Sequence, residues 1–233
     1  MNPNKSADPE SKIPEIVSYL TIRKAVGIIG ISLPIVLLAG SFIISDCSEV
    51  QGSISKYYHT VMRNVFVGAL CAVALFLWTY KGYRRDAKDH KYMIPDNPAG
   101  NLAALFALGV AFFPTYIGSD DLTSCIRQVY DHKVIGTLHL IWAFLFFLSL
   151  AYFSIILFTK GKNKSANRFY KICGYTILGS ITLIIIYLYI LNDIFPQLRK
   201  INPVFWLETF ALWAFGVSWL TKGKVSFASS KKN

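Results

Sequence analysis

Charged residues are scarce in this sequence, at 16% of the chain, while hydrophobic residues reach 54%. Soluble domains carry about 45–50% apolar residues, so the composition excludes an ordinary soluble protein and indicates a membrane protein. Internal repeats and low-complexity segments are also lacking. A cleaved signal peptide is not expected, because the first apolar run begins only near Ala25 and no small-residue cleavage pattern follows it.

Basic residues are in excess, with a formal net charge of +11. A nucleic-acid partner would require these residues to gather on one folded face. Here they occupy short segments between apolar runs, which is the distribution that membrane topology produces. We therefore expect no nucleic-acid binding.

Six apolar stretches approach the roughly 20 residues that cross a hydrocarbon core about 30 Å thick. They cover residues 25–45, 61–80, 102–117, 135–158, 172–191 and 204–220. The third stretch is the weakest, because it is short and contains Pro114. The sequence predicts an all-α fold: a polytopic transmembrane bundle of six helices over 25–220, with an N-terminal tail over 1–24 and a C-terminal tail over 221–233.

The orientation follows from the 24 Lys and Arg residues. Eighteen of them lie in the two tails and in the second and fourth connections, and six lie in the other three connections. Because translocation disfavours cationic loops, the eighteen are expected in the cytoplasm. This predicts an integral plasma (bacterial inner) membrane protein with both termini cytoplasmic.

The four cysteines divide into two pairs. Cys47 and Cys125 lie in connections that the charge distribution places outside the cytoplasm, where disulfides persist. We predict a disulfide between them; two free loop thiols are the alternative, since the sequence contains no distance information. Cys71 and Cys173 lie within predicted helices, where cysteine packs as a small hydrophobic residue.

Polar residues in or beside the spans collect toward the predicted outer side, and the other halves of the helices are nearly free of charge. Polar groups at membrane depth are costly, so such a grouping favours a functional site. The sequence predicts one outward-facing ligand pocket formed by Ser55, Tyr58, His59, Arg63, Asn64, His139 and Glu208. The expected partners are membrane lipids and, at the outer-leaflet pocket, a lipid headgroup, a small-molecule ligand or a partner protein; a homo-oligomer is left open.

Glu208 stands alone as a carboxylate in an otherwise apolar span. Such a group is costly unless it is paired or protonated. Arg63 lies at matching depth, so we hypothesise a buried Arg63–Glu208 ion pair with His59 or His139 nearby. In the alternative, both side chains extend to the headgroup region and are solvated by water.

The segment from Ser53 to Gly68, a polar loop that leads through Arg63 into the second helix, resembles part of an uncharacterised bacterial six-helix membrane family of unknown function. That family is similar in plan to the damage-regulated autophagy modulators. His139 early in the fourth span and Glu208 early in the sixth also fit. The resemblance implies a six-helix bundle with both termini inside and no assigned enzymatic activity.

Ser55 and His59 also match the Ser-x-x-x-His element of the ceramidase and adiponectin-receptor superfamily of zinc-dependent membrane hydrolases. That resemblance implies zinc bound by His59 and His139. The acid would be one of three aspartates: Asp120, Asp121 or Asp131. Catalytic zinc needs three protein ligands and an activated water, yet the sequence has no histidine after His139 and six predicted helices where those enzymes have seven.

We therefore expect a non-enzymatic membrane protein with no catalytic residue, metal or cofactor. The zinc hydrolase is the first alternative. A small-solute transporter or channel is the second, and it is disfavoured because the third and fifth spans have few polar residues to line a pathway.

Overall fold

The computed structural model describes residues 13–45, 47, 49–82, 93–118, 122–129 and 132–230, with side chains described between 21 and 223. These residues form helices and no strand. The α-helices are α1 (Ile13–Ile44), α2 (Arg63–Trp78), α3 (Asp96–Phe112), α4 (Lys133–Tyr152), α5 (Lys164–Ile186), α6 (Asn192–Ile194) and α7 (Pro203–Ser230). The 3-10 helices are Ser55–His59, Phe158–Lys160 and Pro196–Ile201. Two π-helical turns, Phe153–Leu157 and Tyr187–Leu191, extend α4 and α5.

The six long helices form a closed ring. Each packs against its neighbour in the sequence, from α1 through α5 to α7, and α7 packs back against α1. Gly27 and Gly216 allow this last contact, since a Cβ atom at Gly27 would lie 2.8 Å from the carbonyl oxygen of Gly216. Small residues of this kind let two helix backbones approach closely.

Successive helices of the ring run in opposite directions, as the contacts at its two ends show. At one end Tyr80, after α2, contacts Arg23 of α1 and Asp96, the first residue of α3. At the other end a disulfide joins Cys47, after α1, to the segment that follows α3, and Glu208 lies near the start of α7. We call the first the basic end and the second the cap end.

Four helical segments are long and apolar enough to cross a membrane: Thr21–Ile44, Lys133–Lys160, Lys164–Ile194 and Pro203–Gly223. The apolar helix α2 has 16 residues and α3 has 17. Large apolar side chains point outward from the ring; Ile43 is 80% exposed and Val134 is 74% exposed. An apolar outer surface on long apolar helices indicates a membrane protein.

The third predicted span is wrong in its boundaries. It was expected over 102–117, whereas α3 runs from Asp96 to Phe112. Pro114 explains the early end, because the residue before a proline is disfavoured in the helical conformation. Phe113 accordingly adopts an extended backbone, with φ −96° and ψ 113°. Residues 113–118 then form an irregular segment at the cap end.

Candidate functional site

The cap end is covered by residues 47, 49–62, 113–118 and 122–129, which we call the cap. The disulfide predicted between Cys47 and Cys125 is present, with a Cα–Cα distance of 5.3 Å that is normal for such a bond. Both residues are buried. The disulfide joins the loop after α1 to the segment after α3, while Cys71 and Cys173 are free thiols.

Glu208 anchors the cap to α7. Its carboxylate oxygen Oε2 accepts a hydrogen bond of 2.6 Å from the backbone N–H of Ile54. Ile54 immediately precedes the 3-10 helix Ser55–His59, and the backbone amide of Ser55 also interacts with the carboxylate. The first N–H groups of a helix have no partner within it and attract negative charge, so Glu208 caps this helix from a neighbouring element.

The hypothesised Arg63–Glu208 ion pair is not formed. Arg63 instead donates hydrogen bonds to Oε1 of Gln128 at 2.6 Å and to the hydroxyl of Tyr58 at 2.8 Å. Its guanidinium also lies 4.5 Å from the centre of the Tyr58 ring. Arg63 is therefore directed toward the segment 122–129, whereas the carboxylate of Glu208 is directed toward the backbone of the loop after α1.

His59 connects the three parts of the cap and is completely buried. Its ring nitrogen Nδ1 lies 2.9 Å from the carbonyl oxygen of Gln128, and Nε2 lies 2.8 Å from that of Thr115. Its own carbonyl oxygen accepts hydrogen bonds from the backbone N–H groups of Arg127 and Gln128. A neutral imidazole donates a hydrogen bond through one nitrogen only. The ring of His59 can therefore donate to both carbonyl oxygens at once when it is charged, and to one of them when it is neutral.

The ionisation of His59 is set by opposing effects. Burial lowers the pKa of His59 below its usual value of 6.5, and the nearby charges of Arg63 and Lys56 lower it further. The carbonyl oxygens of Thr115 and Gln128 act in the opposite direction but do not outweigh burial. The neutral ring is therefore favoured in the folded protein at neutral pH, and it donates to one of the two carbonyls.

His139, on the inner face of α4, is also buried. Its Nδ1 lies 2.6 Å from the carbonyl oxygen of Phe113, so it holds the segment that follows α3.

Among the described residues, no group of three or more His, Cys, Asp or Glu side chains is placed to hold a metal ion. The three aspartates considered for the hydrolase reading lie outside the described residues: Asp120, Asp121 and Asp131.

A cavity of about 30 Å³ lies under the cap, at the centre of the ring. Ser55 and Glu208 border it on the cap side, and its walls are apolar side chains such as Leu33, Leu70 and Phe146. This volume holds about two water molecules.

Of the seven residues predicted to share one pocket, Ser55 and Glu208 border this cavity. Four belong to the hydrogen-bond network of the cap or hold it in place: Tyr58, His59, Arg63 and His139. Asn64 is exposed at the start of α2.

Sequence reasoning missed a second group of polar residues, at the basic end. Arg23 was assigned to the N-terminal tail and Lys222 to the C-terminal tail, yet the structure buries both, at 1% and 4% exposure. Asp96 is also fully buried, and its carboxylate lies 3.4 Å from Nζ of Lys160. We call Arg23, Asp96, Lys160 and Lys222 the basic cluster. Helical spacing in the sequence could have indicated the burial of Lys222. This residue is three positions after the apolar Trp219 and so continues the same buried face of the helix.

Hydrogen bonds link this cluster across the ring. Arg23 donates to the hydroxyl of Tyr80 at 3.4 Å, and that hydroxyl donates to Oδ1 of Asp96 at 3.3 Å. The Nζ atom of Lys160 lies 3.4 Å from Oδ2 of Asp96. The Nζ atom of Lys222 donates to the carbonyl oxygen of Phe158 at 2.9 Å. Residues of α1, α3, the 3-10 helix Phe158–Lys160 and α7, together with Tyr80 after α2, thus contribute to one polar layer.

The close packing of this layer is visible in the backbone at Gly82. Its φ of +50° lies in the left-handed region, and a Cβ atom there would collide with the side chain of Asp96. Only glycine avoids both problems. The chain leaving α2 therefore passes directly against the buried carboxylate.

No protein-family model, no curated protein sequence and no solved structure matches this chain. The two family resemblances therefore stay predictions.

Proposed function

We propose that the protein crosses the bacterial inner membrane six times, with both termini in the cytoplasm and the cap outside. Three observations support this layout. The six long helices alternate in direction around a closed ring. The first half of α1 and the last third of α7 lie together, since Gly223 approaches Arg23 and Lys24. The segments with eighteen of the basic residues follow or precede the helix ends at this same end.

The short helices α2 and α3 are compatible with this proposal. At 1.5 Å per residue they span about 24–26 Å, slightly less than the hydrocarbon thickness of about 30 Å. The irregular segments 60–62 and 113–118 extend them at the cap end. The local bilayer adapts to a small mismatch of this size.

The layout is tested by labelling single engineered cysteines in intact cells with a maleimide that does not cross membranes. Lys200→Cys, exposed at the cap end, is expected to react without permeabilisation. Lys162→Cys, exposed at the basic end, is expected to react only after permeabilisation. The reverse pattern, or equal labelling of both, contradicts the layout.

For the cap end, we propose recognition of an amphipathic ligand from the outer leaflet, with a cationic or hydrogen-bond-donating head and an apolar tail. The observation that carries this proposal is the position of Glu208. Its buried carboxylate holds the cap and also borders the cavity, whose remaining walls are apolar. A carboxylate accepts hydrogen bonds and attracts positive charge, so it selects the head of the ligand.

Binding requires the cap to move. The cavity is too small for an amphipathic molecule while the hydrogen bond from Ile54 to Glu208 holds the loop down. A ligand ammonium or hydroxyl group competes with the Ile54 N–H for the same carboxylate. Ligand binding therefore exchanges an internal hydrogen bond for an external one, which leaves no buried acceptor unsatisfied.

The test uses the purified full-length protein in phosphatidylcholine nanodiscs and a long-chain primary amine that carries a photoreactive group. We expect the amine to label the protein, and a fatty acid of the same chain length to label it much less. Glu208→Gln is expected to reduce labelling by the amine about tenfold, as loss of one charge-assisted hydrogen bond does.

The matched control is Glu49→Gln, which removes an exposed carboxylate from the same cap. It is expected to label like the unmodified protein. Equal labelling by the amine and the fatty acid, or full labelling of Glu208→Gln, overturns the ligand proposal.

A further inference from the structure

One part of the cap, residues 49–54, lies between two points where the cap is fixed; we call these residues the lid segment. On one side of it, Cys47 is covalently bonded to Cys125. On the other side, the ring of His59 contacts two backbone carbonyl oxygens after α3, and the carbonyl oxygen of His59 accepts two backbone N–H groups. Both fixed points therefore hold the chain to the segments that follow α3.

Between these points, hydrogen bonds hold the lid segment to the start of α7. The carbonyl oxygen of Val50 accepts a hydrogen bond of 2.9 Å from the side-chain amide of Asn202. The carbonyl oxygen of Gly52 accepts one of 3.2 Å from the backbone N–H of Phe205. Phe205 is the third residue of α7, and the N–H groups in the first turn of a helix have no partner within it. The lid segment thus supplies an acceptor that the end of α7 needs.

Ile54 continues this series, because its N–H donates to Glu208 two positions after Gly52. Every second residue of the lid segment therefore contacts α7 through its backbone. The side chain of Ile54 is buried and borders the cavity, next to the carboxylate of Glu208. Movement of Ile54 away from α7 would release the carboxylate and enlarge the cavity at the same time.

The two edges of the lid segment are held with different strength. Its contacts with α7 are hydrogen bonds, and each of these contributes little net stability, because water replaces the partner when the bond opens. The opposite edge is held by a disulfide and by the contacts of His59. A displacement of the lid segment therefore begins at α7.

We propose that the lid segment opens at its edge along α7, pivots on Cys47 and His59, and thereby admits the head of the ligand to Glu208. This inference rests on the ligand proposed for the cap end, and it adds the moving part and the direction of entry. Two exposed apolar side chains flank this edge, Ile201 and Trp206. An apolar tail can stay in the outer leaflet against them while the head reaches the carboxylate.

The experiment measures how fast a thiol under the lid segment reacts in the purified full-length protein in phosphatidylcholine nanodiscs. Ser55→Cys places this thiol at a buried position that borders the cavity. Cys71→Ser removes the half-buried free thiol, and Cys173, which is buried on α5, is kept as an internal reference. A small neutral methanethiosulfonate is added, and mass spectrometry measures the modification of each thiol with time. Modification of Cys173 reports opening of the whole helix bundle.

Asn202→Gly is expected to accelerate modification of Ser55→Cys about fivefold, because loss of one hydrogen bond shifts the equilibrium between closed and open forms by about this factor. Asn202 has a φ of +48°, which glycine adopts without strain, so this change removes the side-chain donor and leaves the backbone conformation accessible. If Asn202→Gly does not fold, Asn202→Asp provides the same comparison. Aspartate tolerates the left-handed conformation and, when ionised, has no N–H or O–H to donate.

The matched control is Asn64→Gly, the same substitution at an exposed position at the start of α2. It is expected to leave the rate at Ser55→Cys unchanged. Three results overturn the proposal. They are an unchanged rate in the Asn202 variant, an equal acceleration by Asn64→Gly, and an equal acceleration at Cys173, since the last two indicate a general loosening of the helices.

Labelling by the photoreactive amine separates this proposal from the ligand proposal. If Asn202→Gly accelerates thiol modification but the amine labels no better than the fatty acid, the lid segment opens as proposed and the ligand proposal fails. If labelling depends on Glu208 while the thiol rate does not depend on Asn202, the ligand proposal stands and the lid proposal fails. When both proposals hold, Asn202→Gly increases labelling at low amine concentration, because a larger fraction of the protein is open.

Discussion

The carboxylate of Glu208 accepts a hydrogen bond of 2.6 Å from the backbone N–H of Ile54, 154 positions earlier in the chain. Together with the hydrogen bond that the backbone N–H of Phe205 donates to the carbonyl oxygen of Gly52, this contact joins the last long helix to the loop that follows the first. It gives a structural reason for a carboxylate in an apolar helix: the group caps a short 3-10 helix whose residues are mostly buried. It also determines what happens when the cap is disturbed.

Glu208→Leu is expected to lower the free energy of unfolding by about 1–3 kcal/mol, because the Ile54 N–H is left buried without an acceptor. Glu208→Gln keeps an acceptor oxygen and should lose less. Thermal or denaturant unfolding in a mild detergent measures both. Glu49→Leu is the control at an exposed position of the cap. Equal stability of Glu208→Leu and the unmodified protein would show that the hydrogen bond contributes nothing.

Removal of the Cys47–Cys125 disulfide is expected to destabilise the protein by about 2–4 kcal/mol, since the bond closes a long loop. Its two cysteines are 78 positions apart. The double variant Cys47→Ser, Cys125→Ser and the reduced protein should unfold at the same lowered temperature. Cys71→Ser, which removes a free thiol, is the control. Alkylation of four thiols before any reduction is incompatible with the bond.

Protonation of His59 is expected to loosen the cap. The pKa of His59 is lowered in the folded protein, so below its ordinary value of 6.5 the unfolded chain binds more protons than the folded one. The contribution of His59 to the free energy of unfolding is therefore fully present above about pH 6.5, and it declines as the pH falls through and below that value. Unfolding midpoints measured between pH 8 and pH 5 test this.

The corresponding variant, His59→Gln, should show a weaker pH dependence than the unmodified protein, while His132→Gln, exposed at the start of α4, should retain it. If the unmodified protein is instead stabilised relative to His59→Gln as the pH falls, the ring is charged in the folded state and donates to the carbonyls of both Thr115 and Gln128.

Zinc is expected at well below one equivalent in the purified protein. Both ring nitrogens of His59 contact backbone carbonyls, and Nδ1 of His139 does the same. Zinc requires a free lone pair on nitrogen, so binding by His59 needs the cap to release one of these contacts. Elemental analysis measures the metal. If the purified protein contains one equivalent of zinc and His59→Gln does not, the result favours the alternative that the protein is a zinc-dependent hydrolase.

Much of the fold was predictable because it depends on local composition. Every apolar run found in the sequence overlaps one of the long helices, and the described residues include four helical segments long enough to cross a membrane. The boundary error at α3 arose from counting apolar residues through Pro114. The helix ends before this proline although the residues around it are apolar, because the residue before a proline disfavours the helical conformation. Which helices closed the ring was not visible in the sequence, because contacts between helices depend on side-chain shape.

The candidate sites were only partly predictable. The bond between Cys47 and Cys125 could be predicted, because these are the two cysteines that lie in connections expected outside the cytoplasm. Glu208 was recognised as unusual, yet its partner was misassigned to Arg63, since a backbone N–H carries no signal in the sequence. Arg23 and Lys222 were missed because lysine and arginine next to a span normally lie in water.

The sequence by itself determined that this is a helical membrane protein and where its apolar segments lie, and it predicted a bond between Cys47 and Cys125, because hydropathy, charge and redox compartment act on each segment separately. Only the tertiary structure decided that Glu208 caps the loop before Ser55, that the cap closes over a small cavity and that Arg23, Asp96 and Lys222 meet inside the ring. The physical reason is that a polar group in a membrane is stabilised by whichever partner the packed helices bring within hydrogen-bond distance, and that partner depends on three-dimensional proximity.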